Sequence, residues 1–398
     1  WPVRLSVRTL GFQPRKRGSI PLRATNHYTK YHHERYIIMK DLKQLQEHYG
    51  CSLPFINQYV VKDPKGYSVK PCCMSTVTPP EYVDTYKELK NHKIIEETQN
   101  AFLEKRWPST CTICKLDESA GERSYRQSMW YRHINHFETK KLVWDLRFDN
   151  VCNLKCIMCN PSNSSKWNED LDIYNQFNDT NIVEHFTRKT SDIDDILNEC
   201  RNTAIEINLL GGEPFYSKNT FDFIERLSAN VWNTENTELI FVSNGNGLNN
   251  KWIELLKRFR KISIMLSLDG VGELANYIRY PTDWDQYLKN VDIIKENNWN
   301  LAFNITWSAL NLYQHNEIIE FCKQNHIRRR NNILHNPNYL GFNALKNLKP
   351  IGVKNIDYYI ENHHEYDDTL NKKLKNYLET LDAKRNLNSK NLMPWCWE

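Results

Sequence analysis

The chain has 398 residues, 40% of them hydrophobic and 12% aromatic, which excludes the aromatic-poor composition of a disordered protein and leaves room for one large domain with smaller additions. Its formal net charge of +5 is modest and gives no argument for a nucleic-acid partner. No apolar run approaches the roughly 20 residues that span a bilayer, and the N-terminal region is charged where a signal peptide would be apolar, so the chain reads as globular, non-membrane and cytoplasmic. Eleven cysteines are many for a reducing compartment, where disulfides bring no benefit, and metal ligation is the natural alternative.

In chain order, residues 1–38 carry Arg4, Arg8, Arg15, Lys16, Arg17, Arg23, Lys30 and Arg35 against Glu34, with no helical or strand period. They read as a disordered basic extension, with Met39 opening a helical run as a plausible true start. Residues 54–61, the turn at Asp63-Pro64-Lys65-Gly66 and residues 67–70 predict a β-hairpin in a separate small unit. From Lys141 onward, short apolar runs alternate with amphipathic stretches in the order that builds a parallel sheet with covering helices. The strands are expected at 142–148, 205–210, 239–243, 262–268, 301–307 and 333–334, with helices at 167–199, 220–231, 252–260, 284–296 and 316–324. Six β/α units are too few for a closed eight-unit barrel, so an open-sided partial barrel is expected. A charged helical segment at 358–381 follows.

Cys152, Cys156 and Cys159 stand in the spacing C-x3-C-x2-C directly after the first of these strands. Three thiolates on one short loop hold three irons of a cubane and leave the fourth open to a ligand. The competing readings are a zinc site or buried structural thiols, but a zinc knuckle wants a fourth Cys or His close by, and Asn160-Pro161-Ser162-Asn163 supplies none. The second strand ends in Gly211-Gly212-Glu213-Pro214, where glycines would let backbone carbonyls approach an ammonium and Glu213 would supply negative charge. Asn244-Gly245 follows the third strand, and Ser267-Leu268-Asp269-Gly270 closes the fourth, with Arg279 after it. Asn304, His335 and Asn336 point to the same strand ends and read as satisfied polar residues.

The run from Cys152 to Cys159, followed one strand later by Gly-Gly-Glu-Pro, resembles the radical S-adenosylmethionine (SAM) superfamily. The resemblance implies a [4Fe-4S] cluster on Cys152, Cys156 and Cys159, with SAM chelated to its open iron. It also implies SAM contacts from Gly211, Gly212, Glu213 and Pro214, and from Ser267 and Arg279 toward the SAM carboxylate and ribose. For Ser267 and Arg279 a plain turn and a surface arginine stand equal to that role. The implied reaction is reductive cleavage of SAM to a 5′-deoxyadenosyl radical that abstracts hydrogen from a substrate.

A second constellation, Cys51, Gly66, Cys72-Cys73 and Cys111-x2-Cys114, resembles the twitch and SPASM auxiliary-cluster modules, although those usually follow the barrel rather than precede it. The resemblance implies a second iron-sulfur cluster on Cys51, Cys72, Cys111 and Cys114. Cys72 and Cys73 cannot both point the same way in an extended segment, and Cys72 is chosen as the ligand. A four-cysteine zinc ribbon is the alternative. Cys200 and Cys322 read as packed thiols.

The expected architecture is therefore α/β: a partial (β/α)6 TIM-like barrel at 136–345, a small N-terminal β-hairpin and helical auxiliary iron-sulfur unit at 39–135, the basic extension at 1–38 and a C-terminal helical extension at 346–398. The resemblance further implies a reductant such as flavodoxin or ferredoxin, and a peptide side chain as substrate, with a small polar metabolite second. A non-catalytic zinc-binding interaction protein is the reading from a different class.

Overall fold

A computed structural model describes residues 50–63, 65–136, 139–180 and 192–397, all within one compact unit, Leu45–Glu398. The basic extension and the run opening at Met39 lie outside the described residues. Among the described residues, nine strands make one sheet: β1 (Asn57–Asp63), β2 (Gly66–Ser68), β3 (Tyr82–Val83), β4 (Leu142–Arg147), β5 (Ala204–Leu209), β6 (Glu238–Ser243), β7 (Lys261–Ser267), β8 (Asn300–Trp307) and β9 (Arg328–Ile333). Their order is β3-β2-β1-β4-β5-β6-β7-β8-β9, and β4 through β9 run parallel as successive neighbours. Residues of β5, β6, β7 and β9 line one cavity, so the sheet curls into the open partial barrel that the alternation predicts.

The period-two pattern of the strands explains how the wall is built. In β6, Leu239 and Phe241 are fully buried against the outer helices, while Ile240 and Val242 face the lumen and are half-buried. Opposite the outer face, Phe223, Ile224 and Leu227 project from helix Lys218–Ser228, and Tyr287, Val291 and Ile294 from helix Trp284–Glu296. Each such side chain contributes about 1.5–3 kcal/mol on full burial. Helix Trp284–Glu296 has the expected bounds because Asp283 caps it, its side chain accepting from Gln286 N.

Three expectations are revised. The hairpin forms, with Lys62 opposite Tyr67 and Asp63 opposite Gly66, but it is built onto the barrel: β1 pairs parallel with β4 from Asn57–Val143 to Val61–Arg147. Tyr59, Val60 and Val61 are buried, and an apolar strand of that kind finds its second partner in the sheet edge that β4 offers. The sixth strand is not the dipeptide at 333–334 but Arg328–Ile333, hidden from hydropathy because it pairs only with β8 on one side and lines the polar lumen on its face. The C-terminal segment expected as one helix is two, Lys354–His363 and Asp368–Arg385; the Asp367 side chain accepts from Thr369 N and Leu370 N and starts the second. Among the described residues, no helix is long and apolar enough to cross a membrane.

Candidate functional site

The three cysteines of the first constellation lie on the loop that leaves β4, and this loop is clamped from several sides. Lys155 N donates to Tyr280 O at 2.7 Å and Ile157 N to Ile278 O at 2.8 Å, stitching the loop to the chain after β7. Trp167 Nε1 donates to Cys156 O at 3.0 Å, Ser164 Oγ to Leu154 O at 2.5 Å, and Tyr377 OH, from the C-terminal helix, to Ile157 O at 3.0 Å. Beneath it the Lys155 ammonium meets Asp170 at 3.0 Å, and Asp170 also holds Arg385 at 2.9 Å. The backbone of the cysteine loop is thus held by hydrogen bonds and leaves the sulfurs to make other bonds.

Burial pushes the thiols of Cys152, Cys156 and Cys159 above their ordinary range, Cys159 to about 12, and Cys156 raises both of the others. Thiols held neutral this way become ligands only when a cationic centre takes their protons' place, which is the chemistry of an iron core. Asn244 closes the group from β6: its side-chain amide donates to Asn153 Oδ1 at 2.7 Å and lies 3.9 Å from Cys152 Sγ.

Gly211 and Gly212 serve a purpose that the residue types alone do not reveal. A Cβ on Gly212 would stand 2.2 Å from Val151 O and 2.5 Å from Asn150 O, and one on Gly211, where φ is +142°, would stand 3.0 Å from Asp149 O. The glycines therefore admit the carbonyls of the cysteine loop itself. Glu213 follows with its backbone N donating to Val151 O at 2.8 Å, and its carboxylate turns inward, 1% exposed. Ser243 Oγ donates to it at 2.8 Å, Asn244 N at 2.6 Å and Phe215 N at 3.2 Å, while burial pushes its pKa up to about 7. Gly-Gly-Glu-Pro thus ties β5, β6 and the cysteine loop into one knot, and buried Pro214 leads into the helix whose Ser217 cap donates to Asp149 at 2.6 Å.

Arg279 stands beside this knot at the end of the short helix Glu273–Ile278, an element that hydropathy did not reveal. It is not the surface arginine of the plainer reading. Its guanidinium donates to Asp269 at 2.5 Å, and the Cys156 thiol lies within its field. Asp269 in turn accepts from Thr306 N at 2.8 Å, so one carboxylate orients the arginine and joins β7 to β8. Ser267 is half-buried at the end of β7, in register with Asn304, whose side chain accepts from Asn332 at 2.8 Å. His335 is exposed and packs its ring against Tyr359.

At the opposite ends of the strands, the second constellation also assembles. Cys51 feels the thiols of Cys111 and Cys114, and Cys72 those of Cys51, Cys111 and Cys114; burial is the largest cause that raises each. Arg126, 2% exposed, donates to Gly50 O at 2.7 Å and pairs with Glu118 at 2.6 Å, drawing the leader of Cys51 against helices Thr112–Ser119 and Tyr125–His133. Thr76 N donates to Thr110 O at 3.0 Å and brings the Cys72 segment to the same place. Cys73 turns the other way: its N–H donates to Asp145 at 3.2 Å and its sulfur lies 4.0 Å from Tyr125 OH. Cys200 and Cys322 are buried helix residues, as expected. Among the described residues, no three His, Cys, Asp or Glu side chains converge as the ligands of a single metal ion.

Between the two thiol sets lies a cavity of about 450 Å³, lined among others by Cys73, Tyr125, Asn208, Leu210, Val242 and Arg330. Leu210 directly precedes the glycine pair and Val242 precedes Ser243, so the cavity reaches the proposed cofactor end of the barrel.

Residues 146–322 match the family model of the Radical SAM superfamily. The radical SAM cyclopropyl synthase TigE of Paramaledivibacter caminithermalis is 28% identical over 246 residues, covering 59% of this chain and 50% of that protein. The chain therefore spans about half the length of this curated relative. Among solved structures, native anSMEcpe with bound AdoMet and Kp18Cys peptide is similar with a TM-score of 0.38 at 13% identity, over 61% of each chain. Streptococcus suis SuiB bound to precursor peptide SuiA is similar with a TM-score of 0.36 at 16% identity, over 79% of this chain and 69% of that one.

Proposed function

We propose that this chain is a radical SAM enzyme with a [4Fe-4S] cluster on Cys152, Cys156 and Cys159, a second iron-sulfur cluster on Cys51, Cys72, Cys111 and Cys114, and a substrate held between them. The observation that carries the reading is the buried cysteine loop knotted to Gly211-Gly212-Glu213 at the strand ends, inside residues that match the superfamily. When bound, the first cluster would supply the electron that cleaves SAM to the radical that abstracts a substrate hydrogen. The chain's own residues bind and orient. Asn244 fixes the Cys152 side, Arg279 sets a positive field beside Cys156, and the clamp from Trp167 and Tyr377 holds the loop's backbone in place. The donor set of the second site, the neighbouring thiols of Cys51, Cys72, Cys111 and Cys114, fits an iron-sulfur group.

The resemblance to twitch and SPASM proteins favours a peptide side chain as substrate, with a small flavodoxin- or ferredoxin-like protein as reductant. Anaerobic reconstitution with iron and sulfide tests the reading. The wild type should take up about eight irons, as for two cubanes, and Cys111→Ala with Cys114→Ala about half as many. With dithionite and SAM, the wild type should release 5′-deoxyadenosine and Cys156→Ala should not. One zinc with no labile sulfide would overturn the proposal.

A further inference from the structure

The cavity between the thiol sets has an unusual charge pattern for a barrel interior, which is ordinarily filled by branched apolar side chains. Its acidic member on β5, Glu206, is already neutralised: although burial pushes its pKa up, His133 and Arg132 hold it below the ordinary carboxylate value, with Arg132 at 2.9 Å. Arg132 also pairs with Glu238. On the facing wall, β9 contributes Arg328 and Arg330, two residues apart and hence on one face of the strand. Among the described residues neither makes an ion pair. The guanidinium of Arg330 lies 4.6 Å from the centre of the Tyr125 ring, a contact that orients the fork without occupying its donors.

Arg330 lies within the field of Asp117, and that carboxylate accepts from Asn355 at 3.3 Å. In register, Arg330 stands beside Asn304, which stands beside Ser267 at the end of β7. Arg330 also reaches the fields of Cys73 and Cys114. A preorganised and unpaired guanidinium therefore lines the cavity and faces the second thiol set.

We propose that Arg330, assisted by Arg328, is a carboxylate-binding subsite, so that the substrate presents an acidic group to the cavity. This deepens the radical SAM reading and rests on it. A planar fork matches a carboxylate in two parallel hydrogen bonds, whereas a neutral amide leaves one donor facing an N–H. The source of the carboxylate is either an acidic residue within a peptide or a free acidic amino acid.

The test is calorimetric binding to the anaerobically reconstituted full chain of N-acetylglutamate, N-acetylglutamine, and capped pentapeptides with Glu or Gln at the centre. In at least one of the two pairs, the glutamate member should bind about tenfold tighter or better. Arg330→Gln should bring that ratio to within about twofold, and Arg330→Lys should keep part of it because the charge remains. Preference confined to the pentapeptide assigns a peptide substrate, and preference confined to the amino acid assigns a metabolite; both sustain the subsite. Equal binding of glutamate and glutamine forms, no binding of any probe, or a preference that survives Arg330→Gln combined with Arg328→Gln would overturn it. Iron content and SAM cleavage of the same preparations report separately on the radical reading, so failure of one is distinguishable from failure of the other.

Discussion

At the scale of single residues, Asp145 shows how the lumen stores charge. It is 1% exposed, accepts from Asn57 at 3.0 Å and from Cys73 N at 3.2 Å, and burial pushes its pKa up to about 6. A carboxyl whose folded pKa lies above its unfolded value stabilises the fold while it is protonated, and that contribution is lost as pH rises through about 6. Wild-type stability should therefore fall between pH 5 and 7.5 by about 1 kcal/mol relative to Asp145→Asn, which keeps an acceptor and does not titrate. Urea unfolding of both proteins at the two pH values measures this, and parallel pH profiles would refute it. The same neighbourhood separates Cys72 from Cys73. Extended geometry says that adjacent side chains diverge, but that Cys72 turns to the thiol set follows from the contacts of Cys73 with Asp145 and Tyr125.

At the scale of elements, the junction of β5 with the cysteine loop is the tightest constraint on the site. Because a Cβ at Gly212 would meet backbone carbonyls at 2.2 and 2.5 Å, no rotamer change relieves it and the loop must move. Gly212→Ala should lose more than about 2 kcal/mol of stability and most of its iron at the first site, since the loop that presents the thiols is displaced. Gly121→Ala is the control: its φ is +73° but nothing lies within 4 Å of the added carbon, so a loss of about 1 kcal/mol with normal iron content is expected. Thermal melting and iron assay distinguish the two. The β9 strand makes the complementary point. Its sequence Arg-Arg-Arg-Asn-Asn-Ile has no alternation of apolar and polar side chains, and lumen lining rather than core packing is what selects those residues.

Across the whole molecule, the C-terminal helix Asp368–Arg385 works as a brace for a loop more than 200 residues earlier. Arg385 is 7% exposed, pairs with Asp170 at 2.9 Å, and stacks 5.0 Å from the rings of Trp167 and Tyr280, both of which touch the cysteine loop. Arg385→Ala would leave Asp170 to Lys155 alone, and breaking a buried pair from one side costs about 3–5 kcal/mol. The expected outcome is a lowered melting temperature together with faster iron loss from the first site on exposure to a chelator. Unchanged chelation kinetics in a destabilised variant would mean that the helix braces the barrel but not the loop.

The sequence by itself determined the parallel barrel strands from 142 to 307, because strands buried on their outer face must alternate with amphipathic helices that cover it. It also determined the two cysteine groupings, because thiol spacing is a local property. What only the tertiary structure decided depends on partners distant in the chain: that β1 joins β4, that the buried Glu213 carboxylate accepts from Ser243 and Asn244, that the paired glycines make room for the cysteine loop, and that Arg279 is held by Asp269. Each of these is a contact between segments whose proximity is set by the curl of the sheet. The unpaired arginine on β9 belongs with them, since a charge is uncompensated only relative to the neighbours that folding places around it.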